Sequence, residues 1–200
     1  MALFPLAFIA FGLAVDSPRV GWHGLIDILS SRDTLIPDYI GLGGIGGMGA
    51  AFVNAGLLTL AALACYWRSG AVIGGPAVVC LFLILGFALF GKNLLNVWFI
   101  VAGVYAYARY KGEPFSKCIN VAFFGAALAP IFTEILFSWA LPLHTSLPLA
   151  AVTTLLLGFV LVPCAAHLFN AHMGYALHNI GWVAGIVARS PWRCASPTAS

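Results

Sequence analysis

Charge is what this sequence has least of. Asp, Glu, Lys and Arg make up 8% of its 200 residues, 9 basic against 6 acidic, whereas soluble domains carry about 25%. So few ionisable groups cannot give a globule a polar surface, so the outer face is apolar and its solvent is lipid. A net charge of +3 spread thinly along the chain cannot neutralise a phosphate backbone, which excludes nucleic acid as a partner. Cysteine motifs are missing too. Cys65, Cys80, Cys118, Cys164 and Cys194 stand singly, with no Cys-x-x-Cys or Cys/His spacing, so they read as packing residues rather than as metal ligands or a disulfide framework. The opening MALFPLAFIAFGLAV has an apolar core but no basic n-region and reads as a retained membrane segment rather than a cleaved leader.

What the chain does have is apolar length: 62% of residues are hydrophobic and mean hydropathy is +1.01. A helix rises about 1.5 Å per residue against a hydrocarbon core of about 30 Å, so run lengths decide what can span. Residues 1–15 form a first, marginal membrane segment of about 22 Å. Residues 16–38 hold four of the six acids and two arginines and read as an extracytoplasmic loop. Within it Trp22, Leu25, Ile26 and Leu29 fit a short amphipathic helix on the interface. Residues 39–188 form the polytopic domain and residues 189–200 a polar tail.

Inside that domain the run Tyr39–Trp67 is too long for one upright helix, and its glycine-rich first third, with Gly43, Gly46 and Gly47, is the expected break. Pro76–Ala108 would make about 50 Å of continuous helix. With Gly91-Lys92-Asn93 at its centre, it reads as a hairpin of two short helices. Cys118–Ala140 and Leu149–Phe169 read as ordinary spans, the loop LPLHTSLP between them. Beyond Phe169 a polar stretch and a short apolar run, Ile180–Ala188, suggest a re-entrant loop feeding a half helix. Arg68, Arg109, Lys111 and Lys117 fall on one side of this scheme, which makes that side cytoplasmic. The expected fold class is an all-α integral membrane protein with about six transmembrane crossings and broken or re-entrant helices.

An ionisable group at membrane depth costs several kcal/mol unless paired or hydrated, which makes Lys92 and Glu134 the strongest functional pointers. Each lies about 24 Å from the cytoplasmic edge of its run, so an ion pair between them is expected. Asn93 and Asn96 flank the same break and Asn54 stands mid-span, where unwound backbone needs partners in place of water. His167, His172 and His178, with Asn179, add polar groups near the C-terminus; their spacings of five and six do not share a helix face, and no metal is expected. Two matches to G-x-G-x-x-G between Gly41 and Gly49 lack the βαβ context of a dinucleotide site, and no cofactor is expected. The same glycines suit close helix contact or an unwound stretch. FVNAGLL and LHNIGWV share a faint apolar-x-Asn-x-Gly repeat, an arrangement found where broken helices surround a transport site.

GGIGGMGAAFVNAGLL, GFALFGKNLLNVWFIVAGVYAYARYKGEPFSK, FFGAALAPIFTEI and HMGYALHNIGWVAGI together resemble an uncharacterised prokaryotic family of multi-pass membrane proteins, a domain of unknown function, from about Asp38 to Ala188. The resemblance implies the cytoplasmic (plasma) membrane of a prokaryote and no known activity. The chain matches the N-terminal part of that pattern, so the expected partners are the lipid bilayer and either further copies of itself or a missing C-terminal half. The leading functional expectation is part of a channel or transporter for a small polar solute or ion. A membrane-embedded acid-base enzyme and an assembly scaffold are the alternatives, an enzyme being the weaker because no nucleophile or metal is arranged.

Overall fold

The computed structural model describes residues 1–31, 45–138 and 141–172, with the side chains of 138 and 168–172 left outside that description. Every regular element among these residues is helical. That follows from the solvent, because in lipid a helix satisfies its backbone within one segment. The helices are α1 (Leu3–Val15), α2 (Pro18–Ser30), α3 (Gly47–Ser69), α4 (Gly75–Phe87), α5 (Val97–Lys111), α6 (Ile119–Gly125), α7 (Pro130–Ser138) and α8 (Leu143–His172). Short 3-10 turns at Phe115–Lys117 and Ala126–Leu128 precede α6 and α7.

Glycine sets the first packing layer. Helices α1 and α3 run antiparallel and approach closely at two glycines. A Cβ on Gly12 would sit 2.5 Å from the Gly49 carbonyl oxygen, and one on Gly56 2.6 Å from that of Pro5. Phe52 fills the space between these points and packs on Phe8 and Phe11. Close backbone approach of this kind lets dispersion hold helices together where lipid supplies no hydrophobic drive. The rest of α1 presents Leu3, Phe4, Leu6 and Leu13 outward.

At the end of α1 the chain turns by 117° into α2. The carboxylate of Asp16, at that corner, accepts the backbone N–H of Gly49 at 2.8 Å. Gly49 is in the first turn of α3, where N–H groups lack intrahelical partners and the helix dipole favours negative charge, so Asp16 serves as a cap borrowed from another helix. The expected amphipathic helix over this region forms, with a different inner face. Gly24, Leu25 and Ile28 are buried, whereas Trp22 and Ile26 are exposed. The shift is set by α3: a Cβ on Gly24 would fall 2.0 Å from the Gly46 carbonyl, and such an approach dictates which side of α2 turns inward.

Three helical stretches are long and apolar enough to cross a membrane, Gly47–Ser69, Ile119–Phe137 and Leu143–His167, and the count reaches four if the bent α1–α2 pair is one span. The expected six crossings are therefore not all present as full-length helices among the described residues. The Pro76–Ala108 run forms the expected hairpin, and its arms are short: 13 residues in α4 and 15 in α5, about 20 and 22 Å. The run from Cys118 supplies the expected span, built as α6 and α7 joined by a 3-10 turn because Pro130 offers no N–H to continue the ladder. One further expectation needs correction: the loop expected before Leu149 is largely helix. The N–H groups of Thr145 and Ser146 bond the Pro142 carbonyl at 2.9 and 3.0 Å, so α8 starts at Leu143 and carries Pro148 and Pro163 inside it.

Helix α8 crosses α5 backbone to backbone. A Cβ on Gly103 would lie 2.1 Å from the Leu155 carbonyl oxygen, and one on Gly158 2.2 Å from that of Ile100. Tyr107 and Phe159 pack edge to face on one side of the crossing, with ring centroids 5.2 Å apart. The main core lies among α3, α4, α5 and α6, around Leu58, Tyr66, Ile84, Val104 and Phe123. Cys80 and Cys118 are buried there as free thiols. Arg68, in the last turn of α3, and Arg109 and Lys111, in the last turn of α5, mark one end of the bundle. At that end Lys117 and Glu113 form an exposed ion pair at 3.8 Å.

Candidate functional site

The α4–α5 break gathers more buried polar groups than any simple turn requires. After Phe87 the backbone runs through Ala88 to Asn96 before α5 begins. Gly91 takes φ +72°, a left-handed conformation that a side chain would strain. The chain thereby reverses in a buried setting, and its freed carbonyls and N–H groups need partners that water would otherwise supply.

Asparagines supply them. The side-chain oxygen of Asn93 accepts the N–H groups of Leu95 and Asn96, both at 2.9 Å, and that of Asn96 accepts the N–H of Asn93 at 3.0 Å. This reciprocal pair starts α5 much as a capping box does. The amide nitrogen of Asn96 donates to the Gly91 carbonyl at 3.1 Å. That of Asn93 donates to the Ile28 carbonyl at 3.4 Å, tying the break to the last turn of α2. Asn54, from the middle of α3, donates both amide hydrogens, to the Ala88 carbonyl at 2.7 Å and the Lys92 carbonyl at 2.9 Å. Because both partners are acceptors, the nitrogen must face them, which fixes the amide's orientation. All three asparagines are fully buried. They hold the backbone of the break in shape, and that consumes most of their hydrogen-bonding capacity.

Two polar atoms are left over. The side-chain oxygen of Asn54 is buried and has no hydrogen-bond partner among the described residues, a condition that costs about 1–3 kcal/mol in a protein interior. Lys92 is 3% exposed, and its ammonium sits over the Phe87 ring, 4.8 Å from the centroid. A desolvated cation–π contact is worth roughly 2 kcal/mol, short of the several kcal/mol that burying an ion costs. The titratable neighbour within electrostatic reach is a thiol, Cys80.

Glu134 does not complete the pair. The break and the 3-10 turn before α7 lie side by side, with a Cβ on Gly91 reaching to 3.6 Å from Pro130. Helix phase then separates the charges. Phe132, Thr133, Ile135 and Leu136 are the buried residues of α7, and Glu134 is exposed. Among the described residues Lys117–Glu113 is the ion pair formed. His167 is exposed on α8. His172 ends that helix with its side chain outside the described residues; His178, Asn179, Gly43, the C-terminal half helix and the second copy of the faint repeat lie outside them altogether. Gly46 and Gly47 stand where α3 begins, as N-cap and first residue, with Gly47 at φ +77°.

Sequence reading missed a second buried cluster. The Tyr66 hydroxyl donates to the Asn120 side-chain oxygen at 2.7 Å, and the Cys80 thiol donates to the Asn120 carbonyl at 3.6 Å. Tyr66 also stacks on Phe123, with centroids 5.5 Å apart. These partners are far apart in the chain, and a lone Tyr and a lone Asn carry no spacing signal that would have paired them.

No curated protein and no solved structure matches the chain. The family model for proteins of unknown function DUF1576 matches residues 17–192, a stretch that includes the break, both flanking helices and every candidate side chain considered above. The chain belongs to that family.

Proposed function

We propose that this chain forms part of a channel or transporter for a small polar solute or ion, with its site at the α4–α5 break. The observation that carries the reading is a pair of unmet demands at one break, among the described residues: a buried lysine without a carboxylate and, on the adjoining α3, a buried amide oxygen without a donor. The backbone of the break is already satisfied by Asn93, Asn96 and the amide nitrogen of Asn54, and neither leftover group adds to that. A pathway does gain, because such groups replace part of a solute's hydration shell as it enters. Short arms on either side suit the same role, each being about 10 Å less than the hydrocarbon thickness. The membrane is that of a prokaryotic cell in this reading, and the working unit is a homo-oligomer or a complex with a second membrane segment.

The test is a swelling and flux assay on sealed proteoliposomes, with neutral solutes, anions and protons as the panel. Wild-type protein should pass at least one of them faster than empty liposomes, and Lys92→Ala should lower that flux at least tenfold. Equal flux through both proteins would remove the break from the pathway. A scaffold would behave in that way, retaining its role in Lys92→Ala while losing it on substitutions at the Gly103–Gly158 crossing.

A further inference from the structure

The two groups left over at the break are complementary in kind, and together they describe a ligand. Lys92 is a cation with three donors and no acceptor; Asn54 Oδ1 is an acceptor whose own amide hydrogens are committed to the Ala88 and Lys92 carbonyls. The second of those bonds is to the backbone carbonyl of Lys92, so Asn54, on α3, is tied to the turn that carries the ammonium. A simple anion such as a halide would answer Lys92 and leave Asn54 unsatisfied, facing one more negative atom. A neutral hydrogen-bonding solute would answer Asn54 and leave the cation with the Phe87 ring as its partner. The start of α5 does not change this balance, since the N–H groups of Leu95 and Asn96 are already taken by Asn93 and lend no further positive end to an anion. Among the described residues no acid from a neighbouring helix intervenes either: Glu134 on α7 and Asp27 on α2 are exposed, and Asp16 on the α1–α2 corner is engaged by Gly49.

We propose that the α4–α5 break binds a monovalent anion that carries its own hydrogen-bond donor, the anionic oxygen going to Lys92 and the N–H or O–H to the side-chain oxygen of Asn54. This rests on the transport reading and narrows its substrate class. Each half of the recognition is separately required. Losing the charge strands a buried ammonium, and losing the donor strands a buried acceptor; each omission is worth about 1.4 kcal/mol or more, a factor of ten in selectivity.

Three near-isosteric probes separate the terms. Sulfamate has the charge and the donor, methanesulfonate the charge alone, and methanesulfonamide the donor alone. Both anions derive from strong acids and do not leak across lipid as neutral forms. Flux of each into proteoliposomes would be measured well below saturation. Wild-type protein should pass sulfamate about tenfold faster than either of the other two after subtraction of empty-liposome rates. Lys92→Met should abolish the advantage of sulfamate over methanesulfonamide, and Lys92→Arg should restore it. Equal rates for sulfamate and methanesulfonate would overturn the donor requirement; equal rates for sulfamate and methanesulfonamide would overturn the charge requirement. Both comparisons use the unmutated chain, so neither depends on a variant that folds. Absence of flux for these probes and for every solute of the broader panel would instead bring down the transport reading, and this inference with it.

Discussion

Two interruptions of membrane helix face each other in this protein, and they handle the same problem in opposite ways. At the α4–α5 break the chain reverses, the freed backbone is satisfied by asparagine side chains, and a charge is kept inside. At the α6–α7 break the chain continues in the same general course, the backbone is satisfied locally, by 3-10 bonds such as Ala129 N–H to the Ala126 carbonyl at 3.0 Å, and the nearby charge of Glu134 is turned outward. A proline suffices for the second. The first invests three buried asparagines and a lysine, a cost that lipid solvent makes high and that a bend alone does not require. Elaborate polar construction at one break and bare economy at its neighbour is the contrast expected if one is a site and the other is a joint.

That contrast can be broken by stability measurements in detergent. The largest effect should come from Asn54→Leu, which strips the Ala88 and Lys92 carbonyls of their donor. A loss of about 3 kcal/mol is expected for two orphaned carbonyls, read as a lower midpoint of denaturant unfolding followed by helix signal. A loss below about 1 kcal/mol would mean that the break relaxes freely and is not held by its asparagines. Lys92→Met should move the midpoint the other way, by about 1–3 kcal/mol, because replacing a buried uncompensated ion with an apolar chain of similar volume removes a desolvation penalty. A stabilising change that also abolishes flux is the signature of a residue kept for function. Destabilisation would indicate that Lys92 has a structural partner. The smallest effect belongs to the other break: Pro130→Ala should change stability by no more than about 1 kcal/mol and leave flux near the wild-type rate, since it returns one N–H to a turn already satisfied. If Pro130→Ala proved as damaging as Asn54→Leu, the two breaks would not differ in kind.

Much of the architecture could be read from run lengths. The Pro76–Ala108 stretch is too long for one crossing and too short for two, and Gly91-Lys92-Asn93 announces where it turns; the short helices on either side follow. The asparagines at 54, 93 and 96 were legible as polar groups at membrane depth, and the structure adds what each one holds. Other features depend on information that spacing does not carry. Glu134 and Lys92 were expected to meet because their depths agree, but depth fixes position along a helix axis and says nothing of phase about it. The inner face of α2 is set by where Gly24 meets Gly46, a contact with a helix whose start was read simply as glycine-rich. The interruption at Pro130 had a visible signal, the proline itself, that an otherwise uniform apolar run overshadowed. Asp16 and Gly49 are 33 positions apart, and no local pattern links an acid in one segment to the first turn of another.

The crossing of α5 and α8 at Gly103 and Gly158 has a mechanical consequence. Where two helices meet through carbonyls and Cα atoms, no layer of rotatable side chains remains to absorb sliding, so the pair moves as one body. The two arms of the hairpin therefore differ in how they are held: α5 meets its neighbour through backbone, whereas α4 packs through side chains such as Cys80, Leu81 and Ile84, and a Cβ on Gly74, Gly75 or Gly86 would meet nothing within 4 Å. Displacement of one arm relative to the other is resisted least on the α4 side, where rotatable side chains form the contact. Lys92 stands in the link between the two arms.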